Sequence, residues 1–230
     1  MTQSEKPVQD PWLLTPGPLT TSRTVKEAML HDYGSRDLRF IEINRRVRER
    51  LVEIIDGHGT HVCVPLQGSG TFVVEAMLSN FVPRSGKVLI LVNGAYGARM
   101  QSICAYHGLD AEVLQWPEDE PVDPQKVAEC LAGAPGITHV AVVHCETTTG
   151  ILNPIEAVGE VVAAAGRSLL IDSMSAFGAL SISARNIQFD ALVASSNKCL
   201  EGAPGMGFCL ASEPALMGTQ GTSDSLCLDL

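Results

Sequence analysis

Lysine is scarce in this chain: there are five in 230 residues, Lys6, Lys26, Lys87, Lys126 and Lys198. The last stands alone after an apolar run, among small residues, in SSNKCLEGAPG (195–205). Long apolar runs are also missing. None approaches the roughly 20 residues that a membrane helix needs, and the polar start MTQSEKPVQDPW has no apolar signal core. Positive charge is in deficit, with 16 Lys and Arg against 26 Asp and Glu and a formal net charge of −10. That argues against nucleic acid or an anionic membrane as partner. It leaves room for a local basic pocket that takes a small anion. Paired cysteine spacing is missing too: seven cysteines (63, 104, 130, 145, 199, 209, 227) include no CxxC. Several sit in apolar runs such as HVCVPL and GFCLAS. They read as reduced, mostly buried thiols of a cytoplasmic protein.

The chain has enough apolar side chain to bury a sizeable core, at 45% hydrophobic and 18% charged. Its length suits one large domain, or one domain plus a piece of another. Residues 1–11 read as a loose leader, and Pro16, Gly17 and Pro18 in LLTPGPLTTS prevent a helix there. Thr20, Thr21 and Ser22 are placed to cap a helix begun by VKEAML. Across 35–55, Phe40, Ile43, Val47 and Leu51 recur at helical spacing. Six arginines interleave with Glu42, Glu49 and Glu53, so the segment predicts an amphipathic helix with a charged outer face.

From residue 61 short Val, Ile and Leu runs recur: HVCVPL (61–66), KVLILVN (87–93), THVAVVHC (138–145), SLLIDS (168–173), DALVASS (190–196) and GMGFCLAS (205–212). Several are apolar at consecutive positions, as in strands buried on both faces. Helical stretches lie between them: TFVVEAMLSNF, AYGARMQSICAYHG, PQKVAECLAG and PIEAVGEVVAAAG. The alternation predicts an α/β fold with a mostly parallel sheet. In such sheets ligands bind beyond the carboxyl ends of the strands.

Those ends present QGSGT (67–71), NGAYG (93–97), CETTTG (145–150), IDSMSAFG (171–178) and SSNK (195–198). In QGSGT the glycines allow close backbone approach and Thr71 opens a helix. Helix N–H groups with the Ser69 and Thr71 hydroxyls make an anion cradle, or else a plain tight turn. The turn is not a dinucleotide fingerprint, since Val73 stands at the third glycine position. It has no Gly-Lys-Ser/Thr for a P-loop and no hydrolase elbow, with Gln67 where that motif needs glycine. Asp172 is either a cap or a buried carboxylate holding a cation. Lys198 is either an exposed loop lysine or an amine able to form a Schiff base. Together the three constrain one another. An anion site, a carboxylate for a pyridine nitrogen and a lysine for an aldehyde are what pyridoxal 5'-phosphate requires.

LLTPGPLTTS, QGSGT, NGAYGARM, HCETTTGILNPI, LLIDSMSAFGA and SSNKCLEGAPGMGF run in one order from about residue 12 to the end of the chain. In this the chain resembles the class V, fold-type I pyridoxal-phosphate-dependent aminotransferases. ETTTG, DSMSAFG and SNKC together resemble the branch that moves the amino group of 2-aminoethylphosphonate to pyruvate. The alanine–glyoxylate or serine–pyruvate branch is the alternative. The resemblance implies helices on both faces of the sheet, Lys198 as the catalytic lysine and Asp172 as the pyridinium partner. It implies Ser69, Gly70 and Thr71 at the phosphate, Tyr96 stacked on the ring, and Thr147 at the ring's 3-oxygen. Ser195, Ser196 and Asn197 line the approach to Lys198. Residues 1–34 would form an N-terminal segment with a substrate-side loop, and 35–230 the cofactor-binding large domain. Small-molecule amine and 2-oxo acid substrates, phosphonate catabolism and a homodimeric full-length form follow from the same resemblance. Members of the family continue past SLCLDL into a small C-terminal domain. That domain carries an arginine gripping the substrate's phosphonate or carboxylate, and a residue reaching the partner subunit's cofactor phosphate. The expectation is therefore a cofactor domain lacking its small domain, with weak turnover or none by itself.

Other signals are thinner. HGTHVC brings His58, His61 and Cys63 close together, but Cys63 belongs to an apolar run and no fourth ligand is evident, so no metal site is read. His139 and His144 flank a strand. No histidine lies near Cys199 in sequence, which favours a packed thiol over a nucleophile. The related cysteine desulfurases tend to place histidine where Asn197 stands. The alternating pattern alone would also permit a nucleotide-dependent oxidoreductase, against which the incomplete GxGxxG counts. A non-catalytic fragment that folds only with a partner is the remaining alternative.

Overall fold

The structure, a computed structural model, describes residues 10–230. Most of the expected leader thus lies outside the described residues. Two helices come first. Helix α1 (Arg23–Ala28) is capped by Ser22, whose Oγ accepts from Val25 N at 3.3 Å. Helix α2 (Leu38–Ile54) is capped by Asp37. Its expected charged face is there, with Arg45 bonded to both Glu42 and Glu49. These exposed pairs contribute little stability, and Leu51 and Val52 are the buried residues that anchor the helix.

The alternating part follows. In chain order it runs β1 (His61–Gln67), α3 (Gly70–Phe81), β2 (Lys87–Val92), α4 (Ala95–His107), β3 (Asp110–Gln115), α5 (Pro124–Gly133), β4 (His139–Val143), β5 (Cys145–Glu146), β6 (Ile151–Leu152), α6 (Ile155–Ala164), β7 (Ser168–Asp172), β8 (Ala191–Ser195), β9 (Met206–Ser212) and α7 (Glu213–Gly218). Seven strands form one sheet in the order β1-β9-β8-β7-β4-β2-β3, and β5 and β6 form a separate hairpin. All pairings in the large sheet are parallel except the two made by β9.

The consecutive apolar positions serve two cores. Leu89, Leu91, Val140, Val142, Leu169 and Ile171 face one side, where Val127 and Leu131 of α5 and Val158 and Val162 of α6 cover them. Val88, Ile90, Val92, Ala141, Val143 and Leu170 face the other, under Val74 and Met77 of α3 and Met100 and Ile103 of α4. A central strand with helices on both faces therefore needs apolar residues of both parities. Three of the seven free thiols, Cys63, Cys104 and Cys209, are packed in these layers. Burial pushes Cys63 up to about 12 and Cys104 up to about 11, so both are inert thiols at neutral pH. No described helix is long and apolar enough to cross a membrane.

Three elements escape the sequence pattern. β3 pairs only with β2, from Lys87 opposite Asp110 to Val92 opposite Gln115, and is a sheet edge. Its DAEVLQ sequence is accordingly polar at Asp110, Glu112 and Gln115, where charge blunts an open edge. The β5–β6 hairpin and the one-and-a-half-turn α7 are too short to show a period.

Beneath the carboxyl ends of β2 and β4 lies a buried amide clamp. Asn93 and Asn153 exchange side-chain hydrogen bonds at 2.8 and 3.2 Å, and Asn153 also donates to Val143 O and accepts from Val122 N. Asn93 reaches Glu120 O at 3.0 Å. Asn153→Ala should leave Asn93 and the Val122 N–H without these partners, at about 1–3 kcal/mol for each buried group left unpaired. A lowered urea midpoint with unchanged slope is the expected measurement.

Candidate active site

The carboxyl ends of β1, β2, β7 and β8 open onto one cavity of about 310 Å3. At one end Ser69 caps α3, its Oγ accepting from Phe72 N at 3.2 Å. Gly70 and Thr71 stand in the first turn, where backbone N–H groups have no partner within the helix. The QGSGT turn therefore does carry the donors of an anion cradle, with the helix dipole aligned behind it. Gly70 lies so close to Met174 that an added Cβ would meet its Sδ at 2.9 Å.

Tyr96 stands in the first turn of α4. Its position is set from beneath by Glu146, a fully buried carboxylate that accepts from Tyr96 N at 3.2 Å and Gly97 N at 3.3 Å. Thr148 Oγ1 donates to the same carboxylate at 2.9 Å. Gly94 makes this approach possible, since a Cβ there would fall 2.2 Å from Glu146 Cγ. A negative side chain at a helix N-terminus is held by both dipole and hydrogen bonds.

Asp172 ends β7 with 2% of its surface exposed. Burial pushes its carboxyl up to about 6, opposed by the Met174 N–H that donates to Oδ1 at 3.0 Å. The charge of Glu146 adds to the rise, while Arg99 and Lys198 oppose it. Below, His144 N donates to Asp172 O at 2.8 Å, and its ring sits 3.0 Å from Ser173 Oγ. Burial holds that imidazole down at about 4, so it is neutral around Asp172.

Lys198 follows β8 in a turn whose backbone closes on itself, with Glu201 N donating to Lys198 O and Gly202 N to Ser196 O. Ser195 Oγ donates to Asn197 Oδ1 at 2.9 Å. The N-terminal segment reaches this point. Leu19 N donates to Asn197 O at 3.2 Å, and a Cβ on Gly17 would fall 2.3 Å from Lys198 Cδ and 2.7 Å from Nζ. The lysine side chain thus lies directly against the backbone of Gly17.

Ser69, Gly70, Thr71, Tyr96, Asp172 and Lys198 thus line one cavity, and Ser195 and Asn197 join them. Ser196 points away, within hydrogen-bond distance of Ala203 O and Met206 O. Thr147 is not among the lining residues; it is half-buried just after β5, next to the inward-facing Glu146. Among the residues of the site that were not singled out from sequence are Gly17, Arg99, Glu146 and Met174. Arg99 carried a signal, standing one turn after Tyr96 on the same helix face.

A family model described as Aminotransferase class-V matches residues 22–222. The chain belongs to the class-V aminotransferase family. It is 53% identical over 220 residues to a 2-aminoethylphosphonate–pyruvate transaminase of Pseudomonas putida (strain W619), covering 96% of this chain and 60% of that protein. A second such transaminase, from Burkholderia lata, is 54% identical over 220 residues, with 96% and 58% covered. Among solved structures, an alanine–glyoxylate aminotransferase from Nostoc sp. superposes with a TM-score of 0.89 at 27% identity, over 97% of this chain and 60% of that one. A pyridoxamine–pyruvate aminotransferase from Mesorhizobium loti gives 0.88 at 26% identity, over 97% and 57%. This class-V chain spans about 60% of the length of the curated relatives it matches. Family membership implies pyridoxal 5'-phosphate as cofactor. The site suits it: an anion cradle, a buried carboxylate and a lysine converge on a cavity of suitable polarity.

The raised Asp172 has a consequence for stability. The folded chain binds its proton more tightly than the unfolded chain does. Stability associated with the protonated form is therefore lost as pH rises from about 4 to about 6. Asp172→Asn keeps the acceptor for Met174 N and removes the buried charge. The ligand-free variant should be more stable than the parent at pH 7, by a few kcal/mol at most. The difference should close toward pH 4, as read from urea midpoints across that range.

Proposed function

We propose that the chain carries the cofactor site of a pyridoxal-phosphate-dependent transaminase that moves the amino group of 2-aminoethylphosphonate to pyruvate, giving phosphonoacetaldehyde and L-alanine. The observation that carries this is the convergence of Lys198, Asp172 and the Ser69–Thr71 turn on one cavity. The substrate assignment is supported by relatives at 52–54% identity that bear this activity in their names. The structural neighbour with alanine–glyoxylate activity favours a second reading, but at 27% identity it is the weaker guide.

When bound, the cofactor supplies an electron sink for the carbon that bears the amino group. Lys198 would hold the cofactor through its Nζ and, when freed, would serve as the base and acid that moves the proton of the reacting carbon. Asp172 would pair with the pyridine nitrogen and favour its protonated form; such a pairing would favour the ionised carboxylate that burial alone opposes. Ser69, Gly70 and Thr71 hold the phosphate, and the Tyr96 ring covers one face. Thr147 is the hydroxyl for the ring's 3-oxygen. Ser195 and Asn197 shape the approach to Lys198. The contacts of Gly17 and Leu19 with the Lys198 turn support residues 1–34 as a substrate-side segment on a 35–230 cofactor domain. A cytoplasmic homodimer acting in phosphonate catabolism is the form this reading gives to the full-length enzyme.

The purified chain mixed with pyridoxal 5'-phosphate should develop a visible absorption band that Lys198→Ala abolishes. A band unchanged in the variant rejects the lysine assignment. Added 2-aminoethylphosphonate should bleach the band, and serine should not. Bleaching by serine alone would move the assignment to a serine–pyruvate type of enzyme.

A further inference from the structure

Three charged side chains line the cavity: Asp172, Lys198 and Arg99. The first two have roles in the reading above, and Arg99 has none. Its guanidinium is held by two groups of the site itself. Nη1 donates to Thr71 Oγ1 at 3.1 Å, and the planar group lies 4.7 Å from the centre of the Tyr96 ring. Both contacts are to neutral groups. Among the described residues no carboxylate lies within ion-pair distance of it. A guanidinium has five N–H donors, and the Thr71 bond uses one.

The position of this cation is specific. Thr71 belongs to the turn at the N-terminus of α3, so Arg99 stands at the anion end of the cavity, bridging α4 to that turn. The turn itself offers only neutral dipoles, backbone N–H groups and hydroxyls. A phosphate monoester carries about −1.5 to −2 charges near neutral pH. Lys198 is committed to the opposite chemistry, at the carbonyl carbon. Arg99 is then the one cation lining the cavity that is left to face the phosphate. Its guanidinium lies on the ring of Tyr96, whose backbone Glu146 pins, so the charge is placed in advance of binding.

We infer that Arg99 is a binding residue for the anionic end of the ligand, supplying the full positive charge that the Ser69–Thr71 turn lacks. This rests on the reading that the cavity takes pyridoxal 5'-phosphate. It predicts that Arg99 discriminates between ligands by their phosphate and not by their ring.

The test compares pyridoxal 5'-phosphate with pyridoxal, which lacks the phosphate, on the parent chain, Arg99→Met and Arg99→Lys. Binding is followed by the Lys198-dependent absorption band. Arg99→Met should bind pyridoxal 5'-phosphate about tenfold more weakly and pyridoxal within about twofold of the parent. Arg99→Lys, which keeps the charge but not the fork, should recover part of the loss. Added salt should weaken phosphate-ligand binding more in the parent than in Arg99→Met. Equal weakening of both ligands would assign Arg99 a structural role through Tyr96 and overturn the inference. So would unchanged affinity for pyridoxal 5'-phosphate in a variant that still shows the band. A parent chain with no Lys198-dependent band overturns the cofactor reading, and this inference with it.

Discussion

The carboxyl group of Asp172 is held at the end of the central strand of a sheet, and the rest of the site is arranged around that position. β7 lies between β4 and β8, with Asp172 opposite Val143 on one side and Val193 on the other. Both neighbours are apolar and buried, so the carboxyl is taken out of water by the sheet register itself. A slip of one residue would turn Asp172 toward the opposite core and bring Ile171 to the cavity. The same register brings the ends of the parallel strands to one level. The turns that follow them, carrying Ser69, Tyr96 and Lys198, therefore meet in one place. Desolvation by itself would favour a neutral carboxyl. The arrangement is thus under tension until a cation lies against Asp172, as expected where a binding group is prepared in advance.

Charge in this molecule works locally. The chain carries a formal −10, yet the cavity gathers Arg99, Lys198 and the N-terminus of α3. At physiological ionic strength charges more than about 8 Å away are largely screened. What an anion meets is the nearby guanidinium and the row of N–H groups, not the acidic surface. Glu146 is the exception that shows the rule. It is negative and fully buried, but it is turned away from the cavity onto the Tyr96 and Gly97 N–H groups.

How much could be read from sequence follows from how local each signal is. The strand runs KVLILV and SLLID were legible because a strand covered on both faces must be apolar at every position. Lys198 and Asp172 were legible because each ends such a run. β3 was not, since an edge strand keeps its polar residues and shares its pattern with a loop. Glu146 and Asn153 were not, because their partners lie far off in sequence: Tyr96 N for one, Asn93 for the other. Gly17 read as a helix breaker in TPGP, but its position is explained by Lys198, a contact between opposite ends of the chain. Thr147 was named by resemblance alone; it lies beside Glu146, which the hairpin buries.

The antiparallel strand β9 has a bearing on how the chain is made. β1 forms early in the sequence, but its sheet partner is β9, with Gln67 opposite Met206 and His61 opposite Ser212. β9 is also the bridge that joins β1 to β8. During synthesis the β1 backbone therefore emerges long before anything can pair with it. At roughly 5–20 residues per second the wait is on the order of ten seconds or more. In that interval an apolar strand with free N–H and C=O groups is exposed, and the turn at Ser69–Thr71 hangs from its open end. Cradle and lysine turn can meet only after β9 has emerged and joined the two halves of the sheet. The binding site thus cannot exist on a growing chain until residues 206–212 have been made.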